Sequence, residues 1–236
     1  ALGCGTESIG AVDKGFGPGN SFVVEAKRQM FGRVSIDLLP GPSEILIIAD
    51  TSARADWVAA DLLAQAEHGG DSQLALLSNS SRLLEEVQRE IKVQSKGLSR
   101  QAQIKEVLRS GTALVLVKSL NQAIKLANDF AAEHVSLIVR NEKKILPEIR
   151  TAGAVFVGSY SPVAVGDFLA GPSHTLPTGG AGKSFSGLTT EMFQRRTSII
   201  KAGKKAMKRS VDAVEALANV EGLDAHGRSA IIRFED

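Results

Sequence analysis

The chain carries four histidines, His68, His134, His174 and His226, and each stands close to a carboxylate, a glycine or a proline. Histidine changes charge near neutral pH and is a common metal ligand. Scarce histidines set among acids and turn residues point to a site that coordinates metal or moves protons. Cys4 is the one cysteine, so a metal here takes nitrogen and oxygen ligands, not a thiolate set. Gln65 and His68 are spaced i, i+3, which on a helix puts both on one face near its C-terminal end. An amide oxygen with an imidazole makes half of a zinc site, although glutamine is an uncommon ligand. Glu133 and His134 adjoin where a helix meets a strand. A carboxylate and an imidazole can share acid–base work; a helix-terminal histidine steadied by the helix dipole accounts for the pair equally well. Their place at the amino end of the strand argues against a site, because open α/β sheets gather ligands at the carboxyl ends. Asp167, in VGDFLAG, suits either a metal or the cap of a short turn. His226 follows Glu221 by five residues, and nothing local says what it meets.

These side chains need elements to hold them. Short aliphatic runs at 44–49, 73–77, 112–117, 135–139 and 154–157 read as strands buried on both faces. The stretches 54–67, 81–94, 100–109, 120–132 and 142–151 read as helices between them. Asp50-Thr51-Ser52 offers capping oxygens before the first helix, and Gly69-Gly70 can end it. This alternation predicts an α/β fold: a doubly wound, mostly parallel, incomplete Rossmann-like sheet with a C-terminal helical tail. Residues 158–188 hold seven glycines and three prolines and read as one long functional loop. From Thr189 the chain reads as helical and charged through Asn219. It ends on the short apolar run Ile231-Ile232-Arg233-Phe234, too small for a core of its own, which has to pack on the main domain or on another subunit. Residues 14–21, KGFGPGNS, are glycine-rich enough to approach a phosphate. They do not fit GxGxxG and follow no clear strand, so a tight interdomain loop is the plainer account.

Composition narrows the classes. Twenty-eight Lys and Arg stand against 26 Asp and Glu, a net charge of +2, which gives no overall drive toward nucleic acid. The one basic run, 201–209 (KAGKKAMKR), reads as a solvated helix face. A lone cysteine excludes an internal disulfide and suits a reducing, cytoplasmic setting. No apolar stretch reaches the roughly 18 residues of a membrane span. The first residues, ALGCGTESIG, have no signal-peptide pattern. They lack an initiator Met and open in mid-motif, so the chain reads as a fragment or a processed piece.

Along the whole chain the segments GTESI, VDKxFGPGN, VxEAKRQ, GPSEILIIAD, DLLAQAEHGxDSQ, AEHVSLIV, SPxAxGDxxAGPSHTLPT, FSGL, FQRRTSI and EGLxAH occur in series. In these motifs the chain resembles the histidinol dehydrogenase family, and specifically its C-terminal portion, without most of the upstream nucleotide-binding domain. The resemblance implies one Zn²⁺ per chain and two NAD-dependent oxidations that take L-histidinol to L-histidine. It implies Gln65, His68, Asp167 and His226 as zinc ligands, the last from the partner subunit of a homodimer that exchanges tails. It implies Glu133 and His134 as the acid–base pair, with Glu133 activating water for the second oxidation. Ser43, His174 and Glu221 would contact substrate together with Gln65, His68, His134, Asp167 and His226, and Asn20 would touch NAD. The expected organisation is 1–34 as the end of the nucleotide-binding region and linker, 35–188 as the zinc and substrate domain, and 189–236 as a dimerisation tail. No nucleic acid and no membrane enter this picture. Val163 stands where many relatives have Glu, and Ser173 where Asn is common. Two other readings stay open: a relative acting on another amino alcohol or diol, and a truncated, non-enzymatic zinc-binding or oligomeric module.

Overall fold

The computed structural model describes residues 1–235. The chain divides into two compact units, Ala1–Gln194 and Arg195–Asp236. The first unit opens with β1 (Lys14–Gly15), helix α1 (Ser21–Met30) and β2 (Ser35–Ile36), the two short strands pairing in parallel. The main sheet follows: β3 (Glu44–Ala49), α2 (Ala55–Ala66), β4 (Gln73–Ser78), α3 (Ser81–Gln94), α4 (Gln101–Ser110), β5 (Thr112–Leu116), α5 (Leu120–Phe130), β6 (His134–Ile138), α6 (Glu142–Ile145) and β7 (Ala154–Val157). The five strands β3 to β7 are all parallel, in the spatial order β5-β4-β3-β6-β7. This is the doubly wound α/β arrangement expected from the sequence, with the chain reversing direction across the sheet between β3 and β6.

Period-2 alternation explains how one strand serves two cores. In β3 all six side chains are buried. Ile45 and Ile47 face α2, α3 and α4, packing with Leu62, Val87 and Ile104. Leu46 and Ile48 face α5 and α6, packing with Ala123, Ala127 and Ile145. Serine hydroxyls start two of the covering helices. Ser80 accepts from the Leu83 N–H at the head of α3, and Ser119 from the Gln122 N–H at the head of α5.

Four local expectations are corrected. Asp50-Thr51-Ser52 does not cap α2, whose N-cap is Arg54 without a side-chain bond. Asp50 instead accepts from the Ser52 N–H and hydroxyl and from the Arg140 N–H, tying the carboxyl end of β3 to that of β6. The helix expected over 142–151 stops at Ile145 and continues only as a 3-10 turn, because Pro147 has no N–H to give. The glycine-rich segment is not all loop: α7 (Val163–Phe168) forms within it. Helix α1 arises where no element was expected, capped by the Asn20 side chain on Val23.

The second unit is a helical hairpin of α8 (Lys204–Glu221) and α9 (Asp224–Ile231). The helix expected from Thr189 begins only at Lys204. Before it the chain makes only a 3-10 turn at Thr190–Phe193, and Ile199 and Ile200 lie exposed, with no apolar face buried to support a helix there. Gly222, at φ +68, ends α8. A Cβ on Gly227 would stand 3.3 Å from the Ala218 methyl, so glycine there lets α9 lie close on α8. Among the described residues no helix is long and apolar enough to cross a membrane.

Candidate active site at the amino edge of the sheet

The parallel topology brings the chemistry-bearing residues to one edge. Helix α2 runs antiparallel to the strands, so its C-terminal Gln65, and His68 just beyond it, come to the amino edge of the sheet. The helix ends at Ala66 on the right-handed C-cap Glu67, and Gly69 and Gly70, expected to end it, take left-handed backbone at φ +73 and +61 only beyond that cap. Glu44 opens β3, and His134 opens β6 directly after Glu133. Helix α5 ends on Ala131, a non-glycine residue at φ +56, and this turn delivers Glu133 and His134 to the sheet in buried positions. The pair thus lies at the edge opposite the one that the strand-end rule favours. The crevice at the carboxyl ends of β3 and β6 is lined by Asp50, Arg140 and Lys144, and none of the sequence-derived candidates line it.

Glu133 and His134 are held by Glu44, a residue the sequence reading passed over as part of a strand. The Glu44 N–H donates to Glu133 Oε2 at 3.0 Å, and the Glu133 N–H donates back to Glu44 Oε2 at 3.2 Å. His134 Nδ1 lies 3.0 Å from the Glu44 carbonyl oxygen. A carbonyl only accepts, so Nδ1 carries the proton and Nε2 is left as the basic nitrogen. The signal for Glu44 was present in EILIIA: a carboxylate heading an otherwise aliphatic, fully buried strand. Glu44 reaches further, its Oε1 accepting the Gly179 N–H at 3.1 Å. The Gly41 N–H donates to Thr178 Oγ1 beside it. These two bonds fasten the segment after His174 to the residues around Ser43.

Burial dominates the electrostatics. It pushes the Glu133 carboxyl up to about 7; the Glu44 N–H and the Ser43 hydroxyl work against that rise, while the charges of Glu44 and Asp167 add to it. Burial likewise raises the Glu44 carboxyl, against the lowering effect of the Gly179 and Glu133 amides. It lowers His134; Asp167 and the Glu44 carbonyl oppose this, whereas His68 and His174 reinforce it. Asp167 and Ser43 thus bear on Glu133, and Asp167, His68 and His174 on His134. A cavity of about 350 Å³ opens there, lined by His134, Phe156, Gly166, Asp167, Ser173 and His174 among others.

Helix α7 places Asp167 at this cavity. A Cβ on Gly166 would stand 2.6 Å from the Phe156 ring, so glycine lets α7 press against β7. The Phe156 ring is also 5.8 Å from that of His134. Val163, singled out as a departure near the substrate loop, is instead buried in the hydrophobic core. Ser173 lines the cavity, and its hydroxyl accepts from the Thr175 N–H.

Among the described residues, no three His, Cys, Asp or Glu side chains stand grouped as a metal cluster. Of the ligands implied by the family resemblance, the first unit supplies one amide and two such side chains, Gln65, His68 and Asp167. Gln65 is 3% exposed, and its Nε2 has no hydrogen-bond partner. An unpartnered buried amide is costly. Turned about its last bond, it offers its oxygen in the same direction, as a ligand amide would. The donors are all nitrogen and oxygen, which fits Zn²⁺.

The remaining candidates are Asn20, Glu221 and His226. Asn20 is exposed, and its Oδ1 caps α1 through the Val23 N–H. The glycine loop before it is anchored by Asp37, which accepts the Gly17 N–H at 2.7 Å and pairs with Lys27 at 2.6 Å. Glu221 and His226 belong to the second unit, Glu221 ending α8 and His226 lying in the first turn of α9, both exposed.

The sequence model of the histidinol dehydrogenase family matches residues 1–234. Histidinol dehydrogenase of Bradyrhizobium diazoefficiens is 44% identical over 234 residues, 99% of this chain and 54% of that protein. The enzyme of Clostridium acetobutylicum is 43% identical over 235 residues, again 54% of its length. The crystal structure of histidinol dehydrogenase from Elizabethkingia anophelis superposes with a TM-score of 0.92 at 36% identity, covering 98% of this chain and 54% of that one. The chain spans about half the length of the relatives it matches, and it belongs to the histidinol dehydrogenase family.

Proposed function

We propose that this chain forms the zinc-binding and acid–base centre of an NAD-dependent histidinol dehydrogenase, which oxidises L-histidinol through its aldehyde to L-histidine. The observation that carries this reading is the amino-edge cluster. An imidazole with a free basic nitrogen shares one cavity with Asp167 and His174, and the buried carboxyl that precedes it in the chain is raised to near neutrality. Enzymes place acids and bases near their working pH in this way.

The chain's own residues divide the work. In the first oxidation the alcohol carbon gives up hydride to NAD while its hydroxyl proton passes to His134 Nε2. In the second, water adds to the aldehyde carbon as Glu133 takes its proton. The resulting diol anion gives hydride to a second NAD, leaving the carboxylic acid. Ser43 and His174 orient the substrate, and Glu221 holds its amino end. Gln65, His68, Asp167 and His226 would hold zinc, which when bound supplies Lewis-acid charge and a template for imidazole and amine. Asn20 would contact NAD from its anchored loop. The tail exposes Leu217 and Val220 on α8, which supports a homodimer in which His226 and Glu221 serve the partner's site. A cytoplasmic location suits the lone cysteine and the biosynthetic role.

The test is NADH formation from L-histidinol by the full-length enzyme, with each half-reaction followed separately. Glu133→Gln is expected to keep alcohol oxidation and lose aldehyde oxidation by roughly 10²–10⁴-fold, the usual worth of a general base. Equal loss in both half-reactions would remove Glu133 from water activation, and no NADH from histidinol would overturn the function itself.

A further inference from the structure

The hydrogen bonds around Glu44 exceed what a strand's first residue needs. Its N–H holds the Glu133 carboxylate, its carbonyl fixes the His134 tautomer, and its carboxylate accepts two backbone amides from two other segments. The side chain is 2% exposed. A buried carboxylate is retained only where hydrogen bonds replace its water. Here both oxygens are used: Oε2 by the Glu133 N–H and Oε1 by the Gly179 N–H.

We infer that Glu44 is a positioning residue, locking the Glu133–His134 pair to the 177–180 segment by accepting the Glu133 and Gly179 amides at once. The inference rests on the acid–base reading above and adds a residue to it. Neither conservative replacement reproduces this clamp. Glutamine offers one acceptor oxygen and turns an N–H₂ donor toward the second amide, donor against donor. Aspartate is one methylene shorter and reaches only one of the two segments. The requirement is for a carboxylate of glutamate length, and it is geometric.

Two readouts separate positioning from general support of the fold. The first is amide hydrogen exchange on this chain. Gly179 is an exposed loop residue whose N–H is bonded to Glu44, so in the wild type its amide is expected to be protected, unlike an ordinary loop amide. Glu44→Gln is expected to speed exchange at Gly179 and Glu133 by roughly 10- to 100-fold, the range of a hydrogen bond to a charged group. The second is turnover by the full-length enzyme. Glu44→Gln is expected to lower kcat at least about 10-fold while KM for L-histidinol changes less than about threefold, as for an interaction used in the transition state. Val87→Ala, which trims a fully buried side chain of α3, serves as a destabilised control expected to keep kcat.

Unprotected Gly179 in the wild type overturns the clamp, and this measurement stands even if Glu44→Gln does not fold. Unchanged exchange in Glu44→Gln, or a kcat no lower than that of Val87→Ala, overturns it as well. Loss of turnover in the wild type would strike the proposed function alone, because the exchange experiment tests Glu44 without substrate.

Discussion

Glu133→Gln is expected to stabilise this chain at pH 8 and leave it nearly unchanged at pH 4. In the folded chain burial holds the Glu133 carboxyl at about 7, against an ordinary value of 4.5. As pH rises from 4.5 the unfolded chain releases this proton first. The folded state therefore loses stability across the window between 4.5 and 7, and the full penalty stands above it. At about 1.4 kcal/mol per pH unit, the span comes to roughly 3 kcal/mol. The side chain is only 10% exposed, so solvent screening removes little of this, and local relaxation trims it to about 1.5–3 kcal/mol. Glutamine removes the ionisation and keeps an oxygen to accept the Glu44 N–H at 3.0 Å. Asp61, also raised by burial to about 6, and His134, lowered by burial, titrate in the same range. Glu44, Asp167, His68 and His174 face the same locus. All are present in both chains, so the difference between the chains isolates Glu133 and its coupling to them. Urea unfolding of both chains at pH 4, 6 and 8 makes the measurement. An offset that grows from about zero to at least 1.5 kcal/mol supports the buried, proton-holding carboxyl. A pH-independent offset would refute it.

Three further outcomes follow from the same coordinates. Asp37→Ala leaves the Lys27 ammonium, 11% exposed, without its carboxylate; it is expected to cost roughly 3 kcal/mol or more in urea unfolding, and a cost below about 0.5 kcal/mol would show that the pair does not anchor the glycine loop. Gly166→Ala forces a methyl toward the Phe156 ring. It is expected to cost about 1–3 kcal/mol and to weaken zinc binding, so a stable variant with unchanged zinc affinity would contradict the placing of Asp167 by α7. His68→Ala is expected to drop zinc from about one equivalent per chain to a small fraction by metal analysis after dialysis, and full retention would remove His68 from the ligand set.

Most of the sheet was legible because its strands are aliphatic runs bounded by helices with plain starts, such as Ser80 and Ser119. The parts that escaped have physical reasons. Helix α7 has only six residues with a glycine inside, so neither length nor propensity marks it. It is held by packing on Phe156, a contact distant in sequence. Helix α1 has no buried residue, and its glycine-rich approach looks like loop. The Glu133–His134 pair was visible as chemistry, and its place at the amino end of β6 was legible too, but the rule for open sheets favours the opposite edge. Glu44 could not be identified alone, since its partners lie 89 and 135 residues away. What carried the site was residue type in series, from QAEH to AEH to GDF, read together with the family resemblance.

The central claim is that chemistry occurs at the amino edge of the sheet and not in the crevice at its switch point. Nitrogen and carbon shift mapping of the labelled chain, loaded with zinc and titrated with L-histidinol, tests it directly. The account predicts saturable shifts at Glu133, His134, Asp167 and His174, with Asp50, Arg140 and Lys144 unmoved. Shifts confined to Asp50, Arg140 and Lys144 would contradict it.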